Sequence, residues 1–249
     1  MRALSVLAGA LFAAGGSHAA ESTVQCQQMS HAGNLYTVCE TDAGASDLRL
    51  FLRDMEGNIL GQFPTVDDAL AGEGKALAFA MNAGMYHDDR APVGHYVENG
   101  REEMRLITNP GPGNFGLLPN GVFCIRENRA DVYETLAFEA ASPACRFATQ
   151  SGPMLVIDGQ LHPRFLPDST SRYVRNGVGT GSNGQRVVFA ISQNAVTFHE
   201  FGSFFRDVLE TPNALYFDGN VSRIWAPQID RADGGFPLGP IVGVVTDRD

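Results

Sequence analysis

The sequence predicts an α+β fold, a single domain built on antiparallel or mixed β-sheets with a few helices. Three observations point there. Eight short runs rich in Val, Phe, Leu and Tyr recur between Leu35 and Phe201, most of them bounded by Gly, Asn, Asp or Pro, the residues that supply turn geometry. Only two stretches beyond the first twenty residues show helical periodicity. Neither βαβ alternation nor a 20–50-residue repeat is present, which argues against Rossmann-like and solenoid folds. A chain of 249 residues is long enough to bury one full core.

Taken in order, the first element is a leader. "MRALSVLAGALFAAGGSHAA" carries one basic residue, an apolar stretch from Ala3 to Ala14 and a small-x-small ending at Ser17-His18-Ala19. That is the grammar of a secretory signal, so residues 1–20 are read as signal peptide and 21–249 as the domain, periplasmic or secreted. No later segment approaches 18 apolar residues, so no membrane span is expected. "LYTVCE" and "LRLFLRD" then read as strands. "TVDDALAGE" (65–73) reads as a helix, with Thr65 as its N-cap and Asp68 three residues on. "ALAFAMN", "GHYVENG" and "GVFCIREN" are strands, the last entered through a tight Asn120-Gly121 hairpin turn. "PMLVIDG", "RVVFAIS" and "AVTFHEF" are strands as well. "FGSFFRDVLE" (201–210) sets Phe201, Phe204, Phe205, Val208 and Leu209 on one helical face before Thr211-Pro212.

Export gives Cys26, Cys39, Cys124 and Cys145 a meaning. Four cysteines allow three pairings, and sequence alone does not choose among them. We favour Cys26–Cys39 and Cys124–Cys145, because each pair brackets a local strand excursion; loops of this size stabilise by about 3 kcal/mol each in the chain-entropy view. A zinc site is the alternative, but CxxC and CxH spacings are missing and an oxidising compartment favours disulfides. The 18 Lys+Arg against 28 Asp+Glu leave a net charge of −10 with no basic cluster. Nucleic acid and anionic membrane surfaces reward concentrated positive charge, so neither is expected as the main partner.

Chemistry concentrates at Gly-rich strand ends. In "FAMNAGMYHDDRAPVG" a buried strand runs into Asn82, followed by Gly84, whose missing side chain permits a close ligand. His87, Asp88 and Asp89 tempt a metal reading, but successive residues on a strand face opposite sides, and only a loop would gather them. No catalytic metal and no cofactor are expected, although the acidic loops leave room for a structural divalent cation. In "NPGPGNFGLLPNGVF" Asn114, Phe115 and Gly116 are candidates for a pocket wall, and the absence of GxxxxGK[ST] excludes a nucleotide P-loop. Ser151-Gly152-Pro153 forms a rigid corner that is not GxSxG, so Ser151 reads as a hydrogen-bond donor rather than a nucleophile. Arg172 and Arg175 precede Asn176 and a Gly-rich stretch including Gly179, whose amides are read as free; a guanidinium fork with free amides suits a phosphate oxyanion. In "NALYFDGNVSRIW" a strand ends in Asp218-Gly219, with Ser222 beyond: a carboxylate on a short rigid stem.

The segments "NAGMY…PVG…ENG", "NGVF", "ATQSGPMLVIDG…HPRF", "RNGVG" and "NALYFDGNVS" together resemble the bacterial branch of the phosphodiester glycosidase family, over roughly residues 35–245. That family includes the lysosomal enzyme that removes N-acetylglucosamine from mannose-6-phosphodiesters. The resemblance implies an exported hydrolase acting on the glycosidic bond of a sugar-1-phosphodiester or related glycoconjugate, with a carbohydrate or phospho-carbohydrate ligand. Better-understood relatives follow the Asp with glycines and serines. Here Asp218-Gly219-Asn220-Val221-Ser222 keeps only the Asp, the first Gly and the Ser, which reshapes the pocket.

The residues accommodate such chemistry. An ordinary glycosidase uses two carboxylates, one of which protonates the leaving oxygen. A phosphate leaving group is far less basic, so a cation and hydrogen-bond donors can replace much of that acid. Asp218 is then the base or nucleophile and Arg175 the phosphate clamp. Asn82, Ser151 and Asn176 would bond sugar or phosphate, and Gly84, Gly152, Gly179 and Gly219 would allow close approach. Glu200 is the reserve carboxylate and His199 a possible shuttle. The alternatives are a non-catalytic binder of periplasmic glycans and, behind it, a metal-dependent phosphodiesterase using His87, Asp88 and Asp89.

Overall fold

The computed structural model describes residues 24–248; the leader expected over residues 1–20 lies outside them. All strand pairings among the described residues are antiparallel, the simpler of the two sheet types expected. A seven-stranded sheet runs in the order β1 (Val24–His31), β2 (Asn34–Asp42), β13 (Arg186–Ser192), β12 (Asn176–Thr180), β14 (Asn213–Asp218), β10 (Met154–Ile157), β11 (Gln160–Leu161). A second sheet runs β16 (Arg231–Ala232), β15 (Ile224–Ala226), β4 (Lys75–Asn82), β17 (Ile241–Asp247), β3 (Asp47–Phe51). The third runs β6 (Arg101–Met104), β5 (Tyr96–Glu98), β9 (Phe147–Ser151), β7 (Gly121–Ile125), β8 (Ala130–Glu134).

The three sheets share one apolar core. Phe79 from β4 lies 4.9 Å from Phe189 of β13, and Phe123 of β7 lies 6.1 Å from Phe189 and 6.4 Å from Phe217 of β14. These rings join all three sheets at edge-to-face or tilted angles that favour aromatic pairs. Because side chains alternate along a strand, every core strand also presents an outer face that needs cover. Helices α1 (Phe63–Ala71), α2 (Thr135–Ala141) and α3 (Phe198–Asp207) supply it, one per sheet. Phe63, Val66 and Leu70 cap the second sheet, Phe138 the third, and Phe201, Phe204 and Phe205 the first.

Several local expectations are corrected. Helix α1 starts two residues before Thr65, with Gln62 at the N-cap and Pro64 in the first turn, where its missing N–H costs nothing. Helix α3 starts at Phe198, so "AVTFHEF" is extended only as far as Thr197. Thr197 and Glu200 close a reciprocal capping box that turns the chain into helix. Helix α2, which the pattern of the sequence did not suggest, is capped by the Glu134 carboxylate accepting from the amides of Leu136 and Ala137. Asn120-Gly121 is no hairpin turn: Asn120 is buried, and Gly121 opens β7 between Glu134 and Ser151. A Cβ on Gly121 would sit 2.3 Å from the Met154 sulfur, so packing rather than turn geometry requires glycine.

Of the three possible cysteine pairings the two local ones form, Cys26–Cys39 and Cys124–Cys145. Cys26 and Cys39 face each other directly in the β1–β2 register.

Candidate active site

The site is built where β12 begins and β14 ends. Asn176 and Asp218 are register partners there, and the end of β4 reaches them from the second sheet. Asn176 Nδ2 donates to the backbone oxygen of Asn82 at 3.0 Å and to its Oδ1 at 2.9 Å. Asn82 Oδ1 also accepts from the Arg223 amide at 2.9 Å, and Asn176 Oδ1 accepts from the Asp218 amide at 3.2 Å. Ser222 Oγ lies 2.8 Å from the Asp218 carbonyl oxygen, and Ser151 Oγ donates to the Phe217 carbonyl at 2.8 Å. These four polar residues tie all three sheets together under the turn after β14. None of them lines the cleft described next.

Above that lock opens a cleft of about 600 Å³, a volume typical of small-ligand sites. Its walls include Tyr86 after β4, Asn114 and Phe115 from the Pro-Gly-rich loop, Tyr173 before β12, and Tyr216, Asp218, Gly219, Asn220 and Val221 from β14 and its turn. The Pro-Gly-rich loop is held by buried side chains. Gln150 Oε1 accepts from the amides of His95 and Ile107, each at 3.0 Å, and Asn120 Nδ2 donates to the Phe115 carbonyl at 2.9 Å.

Asp218 is the sole carboxylate in the cleft wall. Its Oδ1 accepts from the amides of Gly219 at 2.6 Å and Asn220 at 3.0 Å, and among the described residues it forms no ion pair. Burial pushes its pKa above the ordinary carboxylate value, and the Asn220 and Gly219 amides offset only part of that shift.

Arg175 lies behind the floor, 1 % exposed. Its Nε donates to the Val196 carbonyl at 2.9 Å and Nη2 to the Ser171 carbonyl at 3.2 Å, while Nη1 has no hydrogen-bond partner among the described residues. Its Cζ stands 3.6 Å from the centroid of Phe198 and 5.4 Å from those of Tyr173 and Tyr216. Among the described residues no carboxylate pairs with it. Burial alone pulls its pKa down, against support from the hydroxyls of Tyr216 and Tyr173.

The remaining expected residues sit elsewhere. The Gly-rich stretch after Arg175 is not a loop with free amides: residues 176–180 form β12, buried and paired on both edges. Gly179 packs on Thr211, Gly152 on Asn120 and Gly84 on the Thr149 hydroxyl, so these glycines accommodate protein neighbours. Asn114 and Phe115 line the cleft, whereas Gly116 packs against Gly111. His87, Asp88 and Asp89 form an exposed turn, and among the described residues no three His, Cys, Asp or Glu gather as a metal site.

Glu200 accepts from the Thr197 amide at 2.8 Å and pairs with Arg172 at 2.7 Å. Burial would raise its carboxyl, but that amide and Arg172 outweigh it and hold the pKa below the usual value, which ill suits an acid catalyst. Glutamine at this helix position still completes the capping box. Glu200→Gln is therefore expected to keep kcat within about twofold, while a general acid–base role would cost on the order of a hundredfold or more. Steady-state assay of the variant decides between the two.

The sequence reading missed the tyrosines. Tyr216 stands two residues before Asp218, and a bulge in β14 between them leaves both in the cleft wall. That spacing was visible, but a tyrosine inside "ALYF" reads as core.

Residues 75–237 match the family described as phosphodiester glycosidase. The uncharacterized protein YigE of Escherichia coli K12 is 38 % identical over 149 residues, 60 % of this chain and 58 % of that protein. The chain thus spans little more than half the length of that curated relative. Among solved structures, the zebrafish N-acetylglucosamine-1-phosphodiester α-N-acetylglucosaminidase catalytic domain superposes with a TM-score of 0.62 at 11 % identity, over 91 % of this chain and 85 % of that one. A hypothetical protein from Synechocystis gives 0.59 at 13 % identity, over 90 % and 62 %. At such identities the likeness is one of fold.

Proposed function

The chain belongs to the phosphodiester glycosidase family, and from that membership we propose that it is an exported hydrolase cleaving the glycosidic bond of a sugar-1-phosphodiester. The observation that carries this reading is the pairing of one cleft carboxylate, Asp218, with a buried cation beneath the floor, Arg175, that has no acidic partner among the described residues. Burying an unpaired charge costs several kcal/mol. A guanidinium kept there without a carboxylate makes sense if an anion completes the site.

In the proposed reaction water attacks the anomeric carbon and gives its proton to Asp218. The C1–O bond breaks, and its electron pair leaves with the phosphate monoester. The sugar keeps the water oxygen, and the proton on Asp218 returns to solvent. Positive charge from Arg175 stabilises the departing phosphate, so no second carboxylate is needed. Gly219 permits the close packing of this wall, and Asn82, Ser151, Asn176 and Ser222 act as supports that fix the Asp218 turn. Asn220 and Val221 stand in the cleft wall where better-understood relatives carry smaller residues. The sugar or aglycone accepted here therefore differs in shape from theirs.

Export is supported by the two disulfides and by the leader-like sequence of residues 1–20. No helix among the described residues is long and apolar enough to cross a membrane.

Hydrolysis of N-acetylglucosamine 1-(methyl phosphate) in water enriched in heavy oxygen tests the reading. Label on the sugar is the expected result. Label on the phosphate would mean P–O cleavage and refute a glycosidase.

A further inference from the structure

Arg175 cannot itself meet a ligand, because it is 1 % exposed and absent from the cleft wall. Something must carry its charge to the surface. Among the residues packed around its guanidinium, Tyr216 and Tyr173 both line the cleft, and Tyr216 stands two residues before Asp218, across a bulge in β14, in the same cleft wall. The Tyr216 hydroxyl lies directly over Gly219: a Cβ built on that glycine falls 2.1 Å from the phenolic oxygen. Facing an arginine, which has protons to give and no acceptor, a phenolic oxygen can only accept. The Asn114 side chain, also in the cleft wall, is a further hydrogen-bond neighbour of that oxygen; with its amide N–H donating, the hydroxyl proton is left for an acceptor in the cleft.

We propose that Tyr216 is the catalytic hydrogen-bond donor to the leaving phosphate oxygen, polarised from behind by Arg175. This rests on the reading of the cleft as a phosphodiester glycosidase site. The step transfers no proton from Tyr216. As the C1–O bond breaks and its electron pair moves to the phosphate, the Tyr216 O–H bond to that oxygen strengthens. Burial, with the charge of Asp218 adding to it and Arg175 opposing, holds the Tyr216 pKa well above its usual value, so the donor stays protonated at working pH.

Tyr216→Phe removes one oxygen and keeps the ring packing. Two probes separate leaving-group assistance from contacts to the sugar: N-acetylglucosamine 1-(methyl phosphate) and N-acetylglucosaminyl fluoride, which lacks phosphate oxygens. On the phosphodiester kcat is expected to fall on the order of a hundredfold or more, as for loss of an oxyanion donor, with KM little changed. On the fluoride the loss is expected to be less than about fivefold. Gly219→Ala places a methyl where the hydroxyl stands and should reproduce the pattern, and the double variant should be no worse than either single one. Equal losses on both probes, or no loss on the phosphodiester, would overturn the proposal. Calorimetric binding of methyl phosphate supplies a measurement independent of turnover. Weaker binding by Tyr216→Phe than by wild type supports the donor role, and equal binding or none overturns it. Should wild type cleave neither probe, the hydrolase reading fails while the binding result still decides for or against Tyr216.

Discussion

Asp218→Asn is expected to abolish turnover of a sugar-1-phosphodiester without lowering the melting temperature. A positioned acid–base group contributes on the order of 10²–10⁴ in rate, and the cleft wall holds no second carboxylate to take over. Structurally the exchange is mild, because an asparagine Oδ1 can still accept from the amides of Gly219 and Asn220. Electrostatically it is favourable at neutral pH. Burial raises the folded-state pKa of Asp218 above its unfolded value, so the folded protein binds that proton more tightly than the unfolded chain does. This group therefore favours folding as pH falls through the raised value and disfavours it above, where the carboxylate is ionised. The neutral amide removes that penalty. The same shift displaces the acidic limb of the kcat/KM profile of the wild type upward from the ordinary carboxylate range, since activity needs the ionised form. Scanning calorimetry at neutral pH alongside a pH–rate profile checks both halves. A variant that stays active removes Asp218 from the mechanism, and one that unfolds shows that its role is architectural.

Residue type and spacing made the sheet-rich fold legible, because strands buried on both faces announce themselves as apolar runs between turn formers. Helix α2 escaped because seven residues with Phe138 as the buried apolar anchor carry almost no periodic signal. The start of α3 escaped because Val196 and Thr197 are good strand residues until the capping box is seen. The Gly-rich corners were read as places where a ligand comes close. What approaches is usually protein: Thr211 at Gly179, Asn120 at Gly152, Thr149 at Gly84. Asn82, Ser151, Asn176 and Ser222 show the same limit. Their polar atoms were visible, but whether such atoms bond a ligand or a neighbouring strand depends on sheet register. Asp218 stood out as a carboxylate at a strand end, although its bonds from the Gly219 and Asn220 amides are also those of a turn former. The isolation of Arg175 was not, since nothing in the chain order says which of the acidic residues will come near.

Arg175→Met is expected to lower kcat on a phosphodiester on the order of a hundredfold or more while leaving the melting temperature unchanged or higher. An ordinary buried arginine gives the opposite result, because removing one partner of an ion pair strands the other. Here no carboxylate is stranded. The Val196 carbonyl keeps its bond from the Tyr173 amide at 3.1 Å, so the loss of Nε leaves it satisfied. Ser171 O alone loses a donor, at a cost of about 1–3 kcal/mol if it stays dry. Stacking on Phe198 and the flanking tyrosines is worth about 2 kcal/mol for a desolvated cation. Methionine fills the same aromatic cage with an unbranched chain and sulfur–ring contacts. Against those losses stands relief of an unpaired buried charge, several kcal/mol in its own right. Arg175→Lys should not rescue activity, because an ammonium lacks the planar fork and loses its proton readily when buried. Melting temperatures with and without saturating methyl phosphate complete the test. Wild type should gain stability from the anion and Arg175→Met should gain far less, since only the former keeps the cation that lacks a counter-charge. A variant that loses stability but keeps its phosphodiester activity would make Arg175 a structural cation and remove the basis for an anion site in the cleft above it.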